Sequence, residues 1–422
     1  DIVFANRAAP NQLLLGRGDG TFAEAEDLPG GSNLWTMSVA LGDLNADGKL
    51  DIVFANDANY GEYNQLLLSS SAGSFAVHYP PSGKMRTWSV ALGDLNRDGH
   101  LDIVFSNSAP NQLLLGRGDG TFAEAEDLPG GGGYMSTSIA LGDVNLDGHL
   151  DIVFARSSAN NLLLLGDSMG GFAEVDLPGG RGFTRSVALG DVIGDGRLDI
   201  VFANNNAPNQ LLLANSTGGF AEALNLPSGS SSSAKPHVSY SVALADVDRD
   251  GRLDIVTGNE FYANELLLGS SVTAFSASED LPGGDMRTLS VALADVDRNG
   301  RLDIVFANEY APNQLLLGSS TGGFAEAVNL PGIPGRTQRT TGIAIGDVNE
   351  DGHLDIVFAI DGHSTSFAQD HGLIEGEGGA PNQLLLGSST GGFAEAVNLP
   401  GASHLGTYSV ALGDVDGDGH LD

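Results

Sequence analysis

One unit recurs along the whole 422-residue chain, and self-similarity at that period decides most of what the chain can fold into. It reads SVALGDVDxDGxLDIVFAN and then APNQLLLGxxxGGFAEAxxLPG. Its acidic stretch begins at Asp43, Asp94, Asp143, Asp191, Asp246, Asp295, Asp347 and Asp414, at spacings of 48–67 residues. Residues 9–31 and 109–131 are identical, the mark of internal duplication.

Each unit carries four strand signals of alternating or short apolar pattern. In the second unit they are WSVALGDL (88–95), DIVFSN (102–107), NQLLLG (111–116) and FAEAEDLP (122–129), here called A to D from the hub outward. Gly-rich hairpins separate them, LPG closes each copy, and no stretch shows helical periodicity. Four short antiparallel strands repeated eight times predict an all-β chain, an eight-bladed β-propeller in which radial repetition protects the sheet edges. Strands buried on both faces between blades account for the dense VAL, DIVF and LLL runs. The chain opens at strand B (Asp1–Asn6) and closes just after strand A (Tyr408–Val415). The expectation is one propeller over residues 1–422, its eighth blade assembled from 408–422 and 1–29.

Charge narrows the function. The chain has 54 Asp and Glu against 19 Lys and Arg, a formal net charge of −35, which repels nucleic acid and anionic membranes unless a cation cancels it. No run of 18 apolar residues exists, so direct membrane insertion is not expected. There is no cysteine and hence no disulfide.

The cation has an obvious place. The loop between strands A and B reads D-x-[DN]-x-[DN]-G-x-x-D, with side-chain oxygens at positions 1, 3 and 5, a backbone carbonyl at 7 and a carboxylate at 9. Ca²⁺ takes six to eight such oxygens in irregular geometry, and softer metals would want His or Cys side chains as ligands. The candidate ligands are Asp43, Asn45, Asp47, Lys49 and Asp51; Asp94, Asn96, Asp98, His100 and Asp102; Asp143, Asn145, Asp147, His149 and Asp151; Asp191, Asp195, Arg197 and Asp199; Asp246, Asp248, Asp250, Arg252 and Asp254; Asp295, Asp297, Asn299, Arg301 and Asp303; Asp347, Asn349, Asp351, His353 and Asp355; and Asp414, Asp416, Asp418, His420 and Asp422. The basic residues at position 7 enter through their carbonyls. The expected stoichiometry is about one Ca²⁺ per blade, with the fourth loop weakest because Ile193 stands at position 3. An EF-hand is excluded: its twelfth position should be Glu, but here it is Phe54, Phe105 and Phe154, and the flanks are strand-like.

The LGDVDGDGHLDIVFAN pattern resembles the FG-GAP/VCBS repeats of integrin α-subunit propellers and of many secreted proteins, over essentially the whole chain. The resemblance implies a calcium-binding propeller, extracellular or at the cell surface, used for adhesion or ligand recognition, alone or within a larger multidomain chain. Integrin propellers have seven blades where eight are counted here. The family also includes a few carbohydrate-active enzymes.

The metal loops are monotonous; the D–A connections differ from copy to copy. They hold both tryptophans and many of the basic residues, including Lys84, Arg181, Lys235, His237, Arg336 and His404. Binding hot spots favour Arg and aromatic residues. The candidate ligand face is therefore Trp35, Arg86, Trp88, Tyr134, Phe183, Arg185, Tyr240, Arg287, Arg339 and Tyr408, facing an extracellular protein or glycan. The bland alternative is drift of unconstrained loops. A long insertion, residues 360–379, carries Asp361, His363, Asp370, His371, Glu375 and Glu377. It is the one place where a polysaccharide lyase or hydrolase, the alternative to a recognition module, could find paired carboxylates outside the metal loops. A structural repeat of a cell-surface filament is the other alternative. Arg17-Gly18-Asp19 and Arg117-Gly118-Asp119 fall where other copies read SSTGG and are read as turns, and Asn215-Ser216-Thr217 is a lone glycosylation sequon.

Overall fold

Successive strand signals of the repeat pair antiparallel with one another. The computed structural model describes residues 1–420 apart from 33, 58–61, 71–73, 109, 229–237, 270–274, 276–277, 320–322, 333–337, 363–379, 389–391 and 402–405. Among the described residues there is no helix, and the named strands pair antiparallel throughout. Repeats are numbered here by their acidic loops. In repeat 2, Thr87–Gly93 (A) pairs with Asp102–Asn107 (B), B with Gln112–Leu114 (C), and C with Glu126–Asp127 (D). The same A–B–C–D order follows the A strands Leu34–Gly42, Met135–Gly142, Gly182–Gly190, Ser239–Ala245, Arg287–Ala294 and Arg339–Gly346. The last A strand, Gly406–Leu412, pairs instead with Ile2–Ala9 through Ile2↔Leu412, Val3↔Ala411 and Phe4↔Val410, and Gln12–Leu14 and Glu26–Asp27 follow as C and D.

Strand B is where the core sits. An alternating strand buries one face, but DIVFAN buries both: Asp51–Asn56 and Asp102–Asn107 are buried at every position. Phe4, Phe54, Phe105, Phe154, Phe202, Phe306 and Phe358 are 0–1% exposed. Each hydrophobic cluster is shared by two consecutive repeats. Leu95, Val104 and Leu113 of repeat 2 pack with Ile152, Phe154 and Leu164 of repeat 3. Val348, Val357 and Leu384 of repeat 7 pack with Ile2, Phe4 and Leu14, and Val3, Ala5 and Val415 pack in turn with Ile52, Phe54 and Leu67 of repeat 1. Burying such side chains stabilises by about 1.5–3 kcal/mol each.

The FAN…APNQ signature is a buried polar network. Asn107 donates Nδ2–H to Pro110 O at 2.8 Å, its own N–H goes to Asn111 Oδ1 at 2.9 Å, and its Oδ1 accepts from Thr87 Oγ1 at 2.7 Å. Asn6, Asn56, Asn204, Asn259 and Asn308 do the same in their repeats. The network ties the B–C connection to strand A, and buried polar groups need such partners. Asn308→Ala would remove the donor to Pro312 O and the acceptor of the Thr288 hydroxyl, which would keep only the bond it accepts from Asn264 Nδ2. It is expected to cost roughly 1–3 kcal/mol of unfolding free energy in urea; a change below about 0.5 kcal/mol would contradict the structural role of the signature.

Candidate functional site

The A–B loops are fixed by their own backbone. Position 4 is left-handed in every loop: φ is 54–66° at Ala46, Arg97, Leu146, Arg249, Arg298 and Glu350, and 72° and 76° at Gly194 and Gly417. Position 6 is always glycine, Gly48 and Gly99 at 86° and 89°, and a Cβ there would meet nothing within 4 Å. The conformation, and not a lack of space, is what selects glycine. Asp43 at position 1 accepts from Asp47 N (3.1 Å) and Gly48 N (2.9 Å), and Asn45 and Asp47 accept from the backbone two residues on (both 2.9 Å). These bonds turn successive side-chain oxygens inward.

Position 9 is the deepest part. Asp51, Asp102, Asp151, Asp199, Asp254, Asp303 and Asp355 are all 0% exposed. One carboxylate oxygen of each accepts the N–H of position 2 (Leu44, Leu95, Val144, Val192, Val247, Val296, Val348), and the other accepts an N–H at the end of strand C (Ser69, Gly116, Gly166, Ala214, Gly269, Gly318, Gly387), all at 2.7–3.0 Å. Burial, aided by the neighbouring loop carboxylates and opposed by these donors, pushes Asp151, Asp199, Asp303 and Asp355 up to about 6 and raises Asp51, Asp102 and Asp254.

Asp422, the position-9 residue expected for the eighth loop, lies outside the described residues, and Asp1 makes there the bonds that position 9 makes in the other loops. Asp1 Oδ2 accepts from Val415 N and Asp416 N at 3.0 Å each, and Oδ1 accepts from Gly16 N at 3.0 Å. The signal was present: Asp1 opens a DIVFAN string, where every other copy has its position-9 aspartate.

The donors suit a hard cation. Carboxylate oxygens of Asp246, Asp248 and Asp250, of Asp295, Asp297 and Asp303, and of Asp1, Asp414 and Asp416 lie within 4.8 Å of one another, and like charges at that range repel unless a cation joins them. Four other loops place an Asn at position 3. The exception is loop 4, whose Ile193 packs against the hydrophobic cluster of repeats 4 and 5 and offers no oxygen. Side chains at position 7 point to other work: Lys49 Nζ donates to Asp416 O at 2.7 Å, Arg197 and Arg252 pair with Asp195 and Asp250, and His420 meets Glu350. The RGD strings are turns, as read: Asp19 and Asp119 accept from Thr21 and Thr121, and Gly18 and Gly118 abut the His420 and His100 rings.

At the other end of strand A, roughly 25 Å away at about 3.3 Å per residue, the repeats diverge. Each A strand slips register by one residue: Thr36↔Asn56 is followed by Ser38↔Ala55, leaving Met37 extra. The extra residues elsewhere are Trp88, Thr137, Arg185, Tyr240, Leu289, Thr341 and Tyr408. Bulges re-aim side chains. Seven of these eight, all but Thr137, line one cavity of about 410 Å³ together with Trp35, Asp57, Arg86 and Arg339, a size usual for small-molecule sites.

Charge is organised around this cavity. Asp57 holds Arg86 through two bonds of 3.0 and 3.1 Å. A chain of ion pairs runs from Glu260 to Arg287 (3.0 Å), to Glu309, to Arg339 (2.8 Å), to Asp361, and to Arg7 at 4.0 Å. Arg7 stacks on Trp35 at 3.9 Å. Although burial opposes it, Tyr408, Asp361 and Glu309 hold Arg339 above its ordinary value. Of the expected ligand face, Trp35, Arg86, Trp88, Arg185, Tyr240, Arg339 and Tyr408 meet at the cavity. Arg287 belongs to the ion-pair chain behind it, and Phe183 and Tyr134 lie beside Arg185 and Arg181 instead. Met37, Leu289, Thr341, Asp57 and Arg7 were missed. Comparing copies could have found the first three, because each stands just before the constant SVAL-like run. Asp361, read as part of an insertion, is held in an ion pair; His363, Asp370, His371, Glu375 and Glu377, like Lys235, His237, Arg336 and His404, lie outside the described residues.

Four-stranded antiparallel repeats that bring their inner strands to one cavity define a β-propeller-like repeat protein. The FG-GAP-like repeat family profile matches residues 1–54, 43–105, 94–154, 143–202, 191–257 and 295–358, well over half of the chain, and the chain belongs to that family. It is similar to human cartilage acidic protein 1 (36% identical over 115 residues, 26% of this chain and 17% of the human protein) and to its Xenopus tropicalis counterpart (31% over 117 residues, 26% of this chain and 18% of that one). The match thus spans under a fifth of either relative. Among solved structures, an Agrocybe aegerita lectin described as recognising non-reducing terminal N-acetylglucosamine aligns with TM-score 0.53 at 18% identity, covering 78% of this chain and 89% of the lectin, which supports the fold. Among the described residues, no helix is long and apolar enough to cross a membrane.

The raised position-9 carboxyls set a pH dependence for the calcium-free protein. An aspartate whose folded pKa lies above its unfolded value of about 3.9 destabilises the fold when ionised; the penalty is fully present above about 6 and fades toward pH 4. Calcium-free protein should therefore melt at a higher temperature at pH 5 than at pH 7, and Asp151→Asn should reduce that slope. A melting temperature that stays level or rises from pH 5 to pH 7 would contradict the assignment.

Proposed function

We propose that residues 1–422 form one closed, eight-bladed, calcium-holding propeller that acts outside the cell as a glycan-recognition module. The observation that carries the reading is the ring of re-aimed bulge residues: seven repeats each send one variable side chain into a single cavity, while the frame around it stays constant. Closure is supported by the pairing of Gly406–Leu412 with Ile2–Ala9 and by the hydrophobic clusters that link repeats 7, 8 and 1. The eighth blade then comes from both ends of the chain, 408–422 with 1–29, and 360–379 is an insertion in the seventh.

Calcium would be held by the oxygens of positions 1, 3, 5 and 9 and the carbonyl of position 7, with Asp1 completing the eighth loop. When bound it supplies positive charge that neutralises the clustered carboxylates and fastens strand A to strand B. Asp57, the one carboxylate of the described lining, is already paired with Arg86, so the cavity suits holding a ligand better than acid–base cleavage of one. Aromatic faces and planar guanidiniums are what sugar rings and their substituents pack against, and the lectin with a similar fold binds a sugar end.

Two outcomes are expected. Chelation should lower the melting temperature, since each site contributes about 2.7 kcal/mol when calcium is at 100 times its Kd; coincident melting curves with and without chelator would remove the calcium part of the reading. Calcium-loaded protein on a glycan array should retain a defined set of glycans, and Trp88→Ala should weaken that binding about tenfold or more while calcium uptake is unchanged. An array with no specific signal, or one unaltered by Trp88→Ala, would overturn the recognition role of the cavity.

A further inference from the structure

The carboxylates around the axial cavity are unevenly distributed. At the end of strand B the eight repeats place Asp57, Ser108, Ser157, Asn205, Glu260, Glu309, Asp361 and Arg7 in register. Repeats 5–7 and 1 thus supply an acid, and repeats 2–4 supply none. Four of the five arginines of this region, Arg7, Arg86, Arg287 and Arg339, stand against one of those acids. Arg185 does not.

Arg185 is the bulge residue of repeat 4 and lines the cavity half-buried. Its guanidinium stacks between Phe183 (4.7 Å) and Tyr240 (5.1 Å) and meets no carboxylate among the described residues. Its Nε has no hydrogen-bond partner there either. Burial, with Arg287 nearby, pulls it below its ordinary value despite Tyr240 and Glu260. A half-buried cation without a counter-charge is costly and gains strongly from an anion. On the same arc, among the described residues, Trp88 Nε1 is a buried donor without an acceptor, and Ser108 Oγ and Asn205 Oδ1, at the neighbouring strand ends, are buried without partners. The arc therefore asks for a ligand with an anionic acceptor for Arg185 and hydroxyl donors beside it. A hydroxylated carboxylate has both, and a sugar acid is its cyclic, stackable form.

We propose that the axial cavity selects acidic glycans, with the carboxylate of a uronic acid residue seated on Arg185 as the specificity-determining residue. This rests on the glycan-recognition reading and adds to it the charge of the sugar. Bidentate Arg–carboxylate bonds are among the strong charge-assisted ones. Losing one corresponds to about ten- to a hundredfold in affinity.

The test is calorimetric titration of the full, calcium-loaded chain with a glucuronate-ended oligosaccharide, its carboxyl methyl ester, the matching glucose-ended sugar, and sodium sulfate. The free acid should bind about ten- to a hundredfold more tightly than the ester or the neutral sugar. Arg185→Gln should bring the acid down to their level, and Arg185→Lys should restore part of the preference. Since Arg185 makes no ion pair among the described residues, Arg185→Gln should melt no lower than the parent protein. Should it fail to fold, Arg185→Lys and the acid-to-ester ratio of the parent chain still decide. Equal binding of acid and ester, or a preference that survives Arg185→Gln, overturns the proposal and leaves glycan recognition standing. Sulfate binding as tightly as the acid shows a plain oxyanion site and also overturns it. If no saccharide binds, charged or neutral, the recognition reading falls as well.

Discussion

A buried aspartate at the ninth position of each acidic loop is the fixture on which the repeat hangs. Its two carboxylate oxygens reach in different directions, one to the loop that follows strand A and one to the end of strand C. A single side chain thereby joins the acidic loop, strand B and strand C, and it does so while removed from water. Such a group is tolerable only when it is hydrogen-bonded. The backbone donors use part of that capacity, and the inward-turned oxygens of positions 1, 3 and 5 lie close by. The calcium proposed for these loops would complement that arrangement and make loop and core parts of one structural device.

The same device divides labour along strand A. Its loop end repeats almost unchanged, because the left-handed fourth residue, the sixth glycine and the ninth aspartate leave little freedom. Its other end carries a bulge, which frees one side chain per repeat from the ladder and in seven of them turns it into the cavity. Variation concentrates there at little cost to the core: Trp88, Arg185, Tyr240 and Leu289 differ in kind, yet the strands that carry them keep one register pattern. Acids on the arc of repeats 5–7 and 1 neutralise most of the arginines, whereas Arg185, on the arc of repeats 2–4, pairs with none among the described residues.

Much of this was legible in the sequence. Period and acidic spacing yield the antiparallel repeats, the loop residues and the seven cavity residues already singled out by contrast with the constant loops. What stayed hidden has physical reasons. Asp1 was overlooked because the ninth position was sought eight residues after Asp414, although another stretch of chain supplies the group. Met37, Leu289 and Thr341 escaped because a search for Arg and aromatic residues ignores backbone register, and a bulge shows only when strand B is laid against strand A. Asp57, Glu260, Glu309 and Asp361 look like solvated strand ends, and their pairing to arginines of neighbouring repeats is a fact of three-dimensional packing.

Counting calcium on the folded chain tests the central claim most directly. Native mass spectrometry of the intact protein, exchanged into a volatile buffer with a controlled calcium concentration, reads the number of bound ions. Eight ions at saturation are expected, with one lost well before the others as calcium falls, and Asp1→Ala should remove one more. A folded chain that carries none at millimolar calcium would contradict the account.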